Sequence, residues 1–322
     1  MANPLSVIGG LLAALVLPAS AAVTIDFVTV GNAGNPADAT GYGAVGYEYR
    51  IARNETTIGQ YTEFLNAVAK SDPYGLYTGF MATIGRIAGI ARTGTVGSYV
   101  YSVIGTSSNR PITYVSWFDA ARFCNWLHNG QGNGSTETGA YNLNGATYYE
   151  IITAQPDAKF WIPTENEWYK AAYYDPTKGG SGGYWLFPTR VDTAAGNTIG
   201  VVGAANYFDG DYVGSGSLTV PTANALTDVG AYGGNSDSYY GTNDQGGNVH
   251  EWTDAVVNTN TRARRGGSWG DSQNAMRTTY RNWDFPNSQF DSIGFRIATV
   301  PEPATLVLVV FAGILPILRR RR

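Results

Sequence analysis

The stretch GGNVHEWTDAVVNTNTRARRGGSWGDS, residues 246–272, concentrates groups that could do chemistry: His250, Glu251, Ser268 and Asp271, with Met276, Arg281, Asn282 and Trp283 following closely. The whole chain carries one cysteine, Cys124, and two histidines, His128 and His250. One cysteine cannot close a disulfide within the chain. His128 lies four residues beyond Cys124, but two ligands from one helical turn do not make a metal site. Ser268 has no base that the sequence places beside it, so it reads as a hydrogen-bonding pocket residue rather than a nucleophile; a hydrolase or lyase built on Ser268 or Asp271 is the weaker reading.

The elements that must position these groups are few. In SWFDAARFCNWLHN, Ser116 and Asp119 make a capping-box start, and Trp117, Ala120, Cys124 and Leu127 recur at helical spacing. Cys124 therefore falls on the inward stripe as a small core residue. In IPTENEWYKAAYYDP, Thr164 caps, Glu167 answers it, Trp168, Ala171 and Ala172 face inward, and Asp175-Pro176 stops the helix. NETTIGQYTEFLNAVAKSDP puts Ile58, Tyr61, Leu65 and Val68 on one face. VGYEYRIARNE alternates like a strand, and the Gly/Asn/Ser-rich run 179–247 reads as structured loop. No fixed-period repeat is present. The expectation is one α+β domain with few regular elements and much loop.

The two ends address the chain. Leu5–Leu17 is uncharged and apolar and is followed by PASAAV, with Ala19 and Ala21 at the small-residue positions of an export cleavage site; residues 1–21 are expected to be a signal peptide, although its start has no Lys or Arg. At the other end, VPEPATLVLVVFAGILPILRRRR joins Pro-Glu-Pro, an apolar stretch and four arginines. The apolar stretch is short for a span of roughly 20 residues, and its basic end suits the cytoplasmic side. The body, residues 22–299, is rich in aromatic surface: 41 glycines, 22 tyrosines and 8 tryptophans stand in the whole chain with 14% charged residues, a composition for a packed, irregular domain. The net charge is −4, and removing 300–322 takes away four arginines and one glutamate, leaving −7. Nucleic acid and anionic lipid are poor partners for such a surface.

The ordered series NETTIGQYTEFLNAV, RPITYVSWFDAARFCNWL, FWIPTENEWYKAAYY, GGNVHEW, RRGGSW and GFRIA resembles the formylglycine-generating enzyme, or sulfatase-modifying factor, family over about residues 45–298. The C-terminal segment resembles the PEP-CTERM sorting signal handled by exosortase. The resemblance implies a loop-rich C-type-lectin-like fold. Family members that oxidise a sulfatase cysteine bind copper through two cysteines, one just after the GGS-aromatic motif and one five residues on; those positions are Asp271 and Met276 here, so copper is not expected. The related iron-dependent sulfoxide synthases use three histidines, one more than the chain has. The family's calcium loop would transfer to Asp244, the carbonyls of Gly247 and Val249, and Glu251, an oxygen-only set suited to a hard cation; Asn206 is assigned more loosely to a further calcium site. The alternative is that Glu251 pairs with an arginine such as Arg265. Variable proteins of this fold contact ligand through the region that holds Ser268, Trp269, Asp271, Met276, Arg281, Asn282 and Trp283 here, residue types suited to stacking on sugars or gripping a peptide loop, unless the two tryptophans are core. Two functions follow as expectations: an exported, non-catalytic binding or structural domain at the cell envelope, whose partners would be an exosortase-type sorting machinery and extracellular polysaccharide or a protein; or a formylglycine-type oxidoreductase with another centre.

Overall fold

Thr57, Ser116 and Thr164 each open a helix by the same reciprocal device, in which the cap hydroxyl accepts a backbone N–H three residues on and that residue's side chain accepts the cap's own N–H. The second and third are those read from the sequence; the first, Thr57 with Gln60, is additional. The computed structural model describes residues 22–213 and 216–301. The expected export signal 1–21 and all but the first two residues of the expected sorting segment 300–322 lie outside the described residues. Among the described residues no helix is long and apolar enough to cross a membrane.

From the N-terminal side, strands β1 (Phe27–Val30) and β2 (Tyr49–Ala52) precede helix α1 (Ile58–Val68). A short α2 (Phe80–Thr83) and the hairpin strands β3 (Ile90–Thr93) and β4 (Val100–Val103) lead to α3 (Trp117–His128). Next come β5 (Phe160–Trp161), α4 (Glu165–Tyr173), β6 (Tyr174–Asp175) and β7 (Gly183–Tyr184). A long irregular stretch then delivers β8 (His250–Asn258), β9 (Thr261–Arg265), β10 (Asn282–Asp284), β11 (Ile293–Gly294) and β12 (Ala298–Thr299).

Two four-stranded sheets organise the domain, in the orders β1-β2-β12-β5 and β10-β9-β8-β11. In the first, β12 lies between β2 and β5, so the last strand ties the two ends of the domain together. In the second, β8 and β9 form an antiparallel ladder with Glu251 opposite Arg265, while β11 runs parallel to β8 with Ile293 opposite His250. The main core joins α1 and α3 to both sheets through Tyr61, Phe64, Phe123, Trp126, Trp252 and Phe295. Each such fully buried side chain stabilises the fold by about 1.5–3 kcal/mol. Every residue of α3 from Trp117 to Leu127 is buried, so this helix threads the interior rather than lying on it.

Loop geometry near the site depends on glycine. Gly247 has φ +81°, and a Cβ there would stand 2.2 Å from the Asn206 carbonyl oxygen. Gly266 has φ +98°, with the Gln245 carbonyl oxygen 2.8 Å from where its Cβ would be. Both turns therefore exclude any side chain, and they clamp loop 244–249 between the 206 loop and the end of β9.

Candidate functional site

The turn after β9 and the first residue of β8 bring His250, Ser268 and Asp271 together. Asp271 Oδ2 accepts from Ser268 Oγ at 2.5 Å and lies 3.0 Å from His250 Nε2. Burial opposes the Asp271 charge, but the hydrogen bonds from His250 and Ser268 and the charge of Arg264 outweigh it and hold the carboxyl below its ordinary value. Burial also keeps His250 below its ordinary value in spite of Asp271, so at neutral pH a neutral imidazole donates Nε2–H to an ionised carboxylate. His250 Nδ1 is buried and has no hydrogen-bond partner among the described residues, and the ring lies stacked beside Tyr280 at 6.5 Å.

This order of groups decides the chemistry. Nucleophilic catalysis by serine needs the hydroxyl proton to point at the base, with the carboxylate on the base's far side. Here the carboxylate is the shared acceptor of both donors, so Ser268 is held but not activated. Asp271 is the one member with appreciable exposure, 35% for its side chain against 2% for His250.

The other position at which the resemblance would put a copper thiolate, Met276, is 3% exposed and packs with Phe187, Ala205 and Tyr207. Cys124 is fully buried in α3, and burial pushes its thiol well above the ordinary value. His128 faces elsewhere: its Nδ1 accepts the Lys159 backbone N–H at 3.1 Å.

The oxygen-rich loop lies deeper. Glu251 is fully buried and accepts from Arg296 at 2.6 and 2.7 Å and from Trp168 Nε1 at 2.7 Å. Its arginine partner is thus Arg296, of the GFR segment, while Arg265 turns to Glu165 at 2.8 Å. Asp244, with φ +56°, accepts the Gly230 N–H at 2.5 Å. Burial, with the Glu251 charge adding to it, pushes the Asp244 carboxyl up to about 6. Asn206 is 1% exposed and donates to Ala225 O and Asn248 Oδ1, while its own Oδ1 has no partner among the described residues.

Sequence reasoning missed a further carboxylate here, Glu55, which sits between β2 and α1. It is 2% exposed, and neither of its carboxylate oxygens has a hydrogen-bond partner among the described residues. Burial first, then the charge of Asp244, with Glu251 adding and Arg296 opposing, raises its carboxyl far above the ordinary value. No run of spacing or type marks Glu55, because only the fold brings residue 55 to residue 244. Among the described residues no group of three His, Cys, Asp or Glu side chains is placed so that it could hold a metal ion. Orphaned oxygens remain on Glu55, near Asp244 and Glu251, and separately on Asn206, whose backbone bridges Gly247; buried oxygen donors are the type of atom a hard cation takes.

The remaining expected ligand-facing residues divide. Trp269 is 7% exposed and packs with Ile87, Leu226 and Val249, which places it in the core for the bulk of its ring; Met276 is likewise withdrawn from the surface. Arg281 is locked in a two-pronged bond to Glu165 at 2.8 and 2.7 Å. Asn282 Nδ2 reaches the Tyr280 hydroxyl at 3.3 Å. Trp283, on the edge strand β10, is 49% exposed, and Asp271, Arg281 and Asn282 are partly exposed.

A loop-rich α+β domain that frames its GGSW turn with an EW strand and a GFR segment defines the class. The family model described as the sulfatase-modifying factor enzyme 1-like domain matches residues 29–300, and the chain belongs to that family. Among solved structures, the crystal structure of CarF is similar at 20% identity, covering 87% of this chain and 99% of that one, with a TM-score of 0.50. Treponema denticola variable protein 1 matches at 20% identity over 85% of this chain and 95% of its own, TM-score 0.49. PvdO from Pseudomonas aeruginosa matches at 18% identity over 86% and 92%, TM-score 0.41.

Proposed function

We propose that this protein is a non-catalytic binding or structural member of the sulfatase-modifying factor family, exported to the cell envelope and stabilised by calcium. One observation carries the non-catalytic reading: the centre of the cluster is a carboxylate, Asp271, fixed by His250 and Ser268, and its would-be partner Met276 is buried in another cluster. Copper(I) needs soft, adjacent ligands, and the only thiol of the chain is buried in α3. Loading the purified chain with Cu(I) under reducing conditions tests this, with far less than one ion per chain expected; a stoichiometric, tightly held ion would return the reading to an oxidoreductase.

The calcium would be held by Asp244, Glu251, the Gly247 and Val249 carbonyls and the newly found Glu55, with Asn206 nearby, and would neutralise charge that Arg296 alone does not balance. Glu251 would share its carboxylate between Arg296 and the ion. When bound, calcium supplies only charge and fixed geometry to the loop. The apolar and basic termini support export and sorting by an exosortase-type system, and Trp283 with Asp271 supports contact with polysaccharide or a protein loop. Intact mass of protein recovered from a native envelope would retain Met1 or Arg322 if either signal reading is wrong.

A further inference from the structure

A cleft of about 280 Å³ opens away from both the Asp271 turn and the calcium loop. Its walls include Tyr47, Ala158, Trp161, Glu167, Asp254 and Val300. The volume is at the small end of what ligand pockets hold, enough for a compact organic group.

Two acidic residues, Glu167 and Asp254, line this space from beneath, both largely buried, and the donors around them are mostly neutral. Glu167 Oε2 accepts the Thr164 N–H at 2.7 Å and Trp161 Nε1 at 3.0 Å, while Oε1 accepts the Tyr47 hydroxyl at 2.9 Å. Asp254 Oδ1 accepts Arg262 Nη1 at 2.8 Å. Arg262 is itself buried, with its guanidinium 3.8 Å over the Trp117 ring, so it neutralises Asp254 from behind and cannot swing into the cleft. Among the described residues none of the side chains lining the cleft is Lys, Arg or His. Arg262 pairs with Asp254, whereas Glu167 accepts only from neutral donors, so its carboxylate has no cation beside it among the described residues. Burial, opposed by the Arg262 charge and with the Glu167 charge adding, raises the Asp254 carboxyl to about 7, so its own charge is only partial at neutral pH.

The aromatic pair completes the pattern. Trp161 and Tyr47 give their polar hydrogens to Glu167, which leaves the ring faces for a guest. Tyr47 is 52% exposed, so its ring face is open to an occupant. A carboxylate floor lacking a cation, with aromatic faces beside it, is the arrangement that attracts an ammonium group.

We propose that this cleft binds an alkylammonium group, seating its charge between Glu167 and Asp254 and its carbon chain on Trp161 and Tyr47. The same chemistry could arrive as a free amine or as a lysine side chain of another protein. Neither calcium nor the non-catalytic reading enters this inference.

The test is calorimetric and NMR titration of the full chain with n-pentylammonium, in parallel with 1-pentanol, methyl glucoside and a capped Gly-Lys-Gly peptide. Saturable binding of pentylammonium, weakened by added salt and absent for pentanol, is expected. Peptide binding as tight as the amine would identify a lysine side chain as the source; amine binding alone would identify a free amine. Tyr47→Ala should weaken amine binding about tenfold and Tyr47→Phe by much less, while Glu167→Gln should weaken it at least tenfold. Because Glu167 also caps α4, the surface variant Tyr47→Ala carries the decision if Glu167→Gln unfolds. Equal binding of pentanol, binding of methyl glucoside in place of the amine, no saturable amine binding, or an unchanged Tyr47→Ala would each overturn the proposal.

Discussion

Replacing Glu55 by Gln should change the sign of its effect on stability when calcium is supplied or withdrawn. In chelator, the wild-type fold must bury a carboxyl without hydrogen-bond donors beside Asp244 and Glu251. It does so by taking up a proton or by bearing the charge, and either is costly. A glutamine of the same shape carries no charge, so the variant should be more stable by about 1–2 kcal/mol. At 2–4 °C per kcal/mol for a domain of this kind, that raises the melting temperature by about 2–8 °C. With calcium at 100 times its Kd the wild type gains about 2.7 kcal/mol, and the variant, having lost a charged oxygen ligand, should forfeit most of it and melt below the wild type. The assay is thermal unfolding by circular dichroism of both proteins in EGTA and in excess calcium. A variant more stable in both conditions would mean that no cation sits at Glu55. One less stable in both would mean that the Glu55 oxygens have a partner in the native state and that the argument from orphaned atoms is unsound.

Arg296→Met should cost about 3–5 kcal/mol in urea unfolding, since it strands the fully buried Glu251 and frees three backbone carbonyls; a loss below about 1 kcal/mol would mean that the pair is not the fastener of the second sheet. Burial holds the Asp119 carboxyl at about 6 in spite of its capping bonds to Ser116. A raised carboxyl pKa makes the folded state the stronger proton binder, so this stabilisation is complete below about pH 4 and lost as pH rises through about 6, some 3 kcal/mol in all. Asp119→Asn should flatten the stability profile across that window, and an unaltered profile would contradict the assignment.

What could be read from the sequence was local. The capping boxes of α3 and α4 declare themselves through residues three apart, and the inward stripe of Trp117, Ala120, Cys124 and Leu127 follows from helical spacing. The motif order also led to the fold, because each motif marks a turn or strand start that the domain needs. The site resisted because it is made by long-range pairing. As the alternative to a calcium role, the sequence offers Arg265 as partner of Glu251, and Arg265 does lie opposite it on β9, but opposite residues on a ladder need not point their side chains at each other. Arg265 goes to Glu165 and Arg296 arrives from the other end of the chain. Trp269 and Met276 sit among polar neighbours in sequence, yet loops from residues 187–226 cover both. His250 stands among the reactive groups of the sequence, but only the turn that returns Asp271 to the start of β8 gives it a hydrogen-bond acceptor.

The non-catalytic reading is tested most directly by incubating the purified chain with a sulfatase-derived cysteine peptide, Cu(I), reductant and oxygen, and following the peptide by mass spectrometry. With Asp271, which the family resemblance aligns with a copper-binding cysteine, held by Ser268 and His250, no formylglycine should form beyond the protein-free blank. Many turnovers per chain, abolished by Asp271→Ala, would contradict the account.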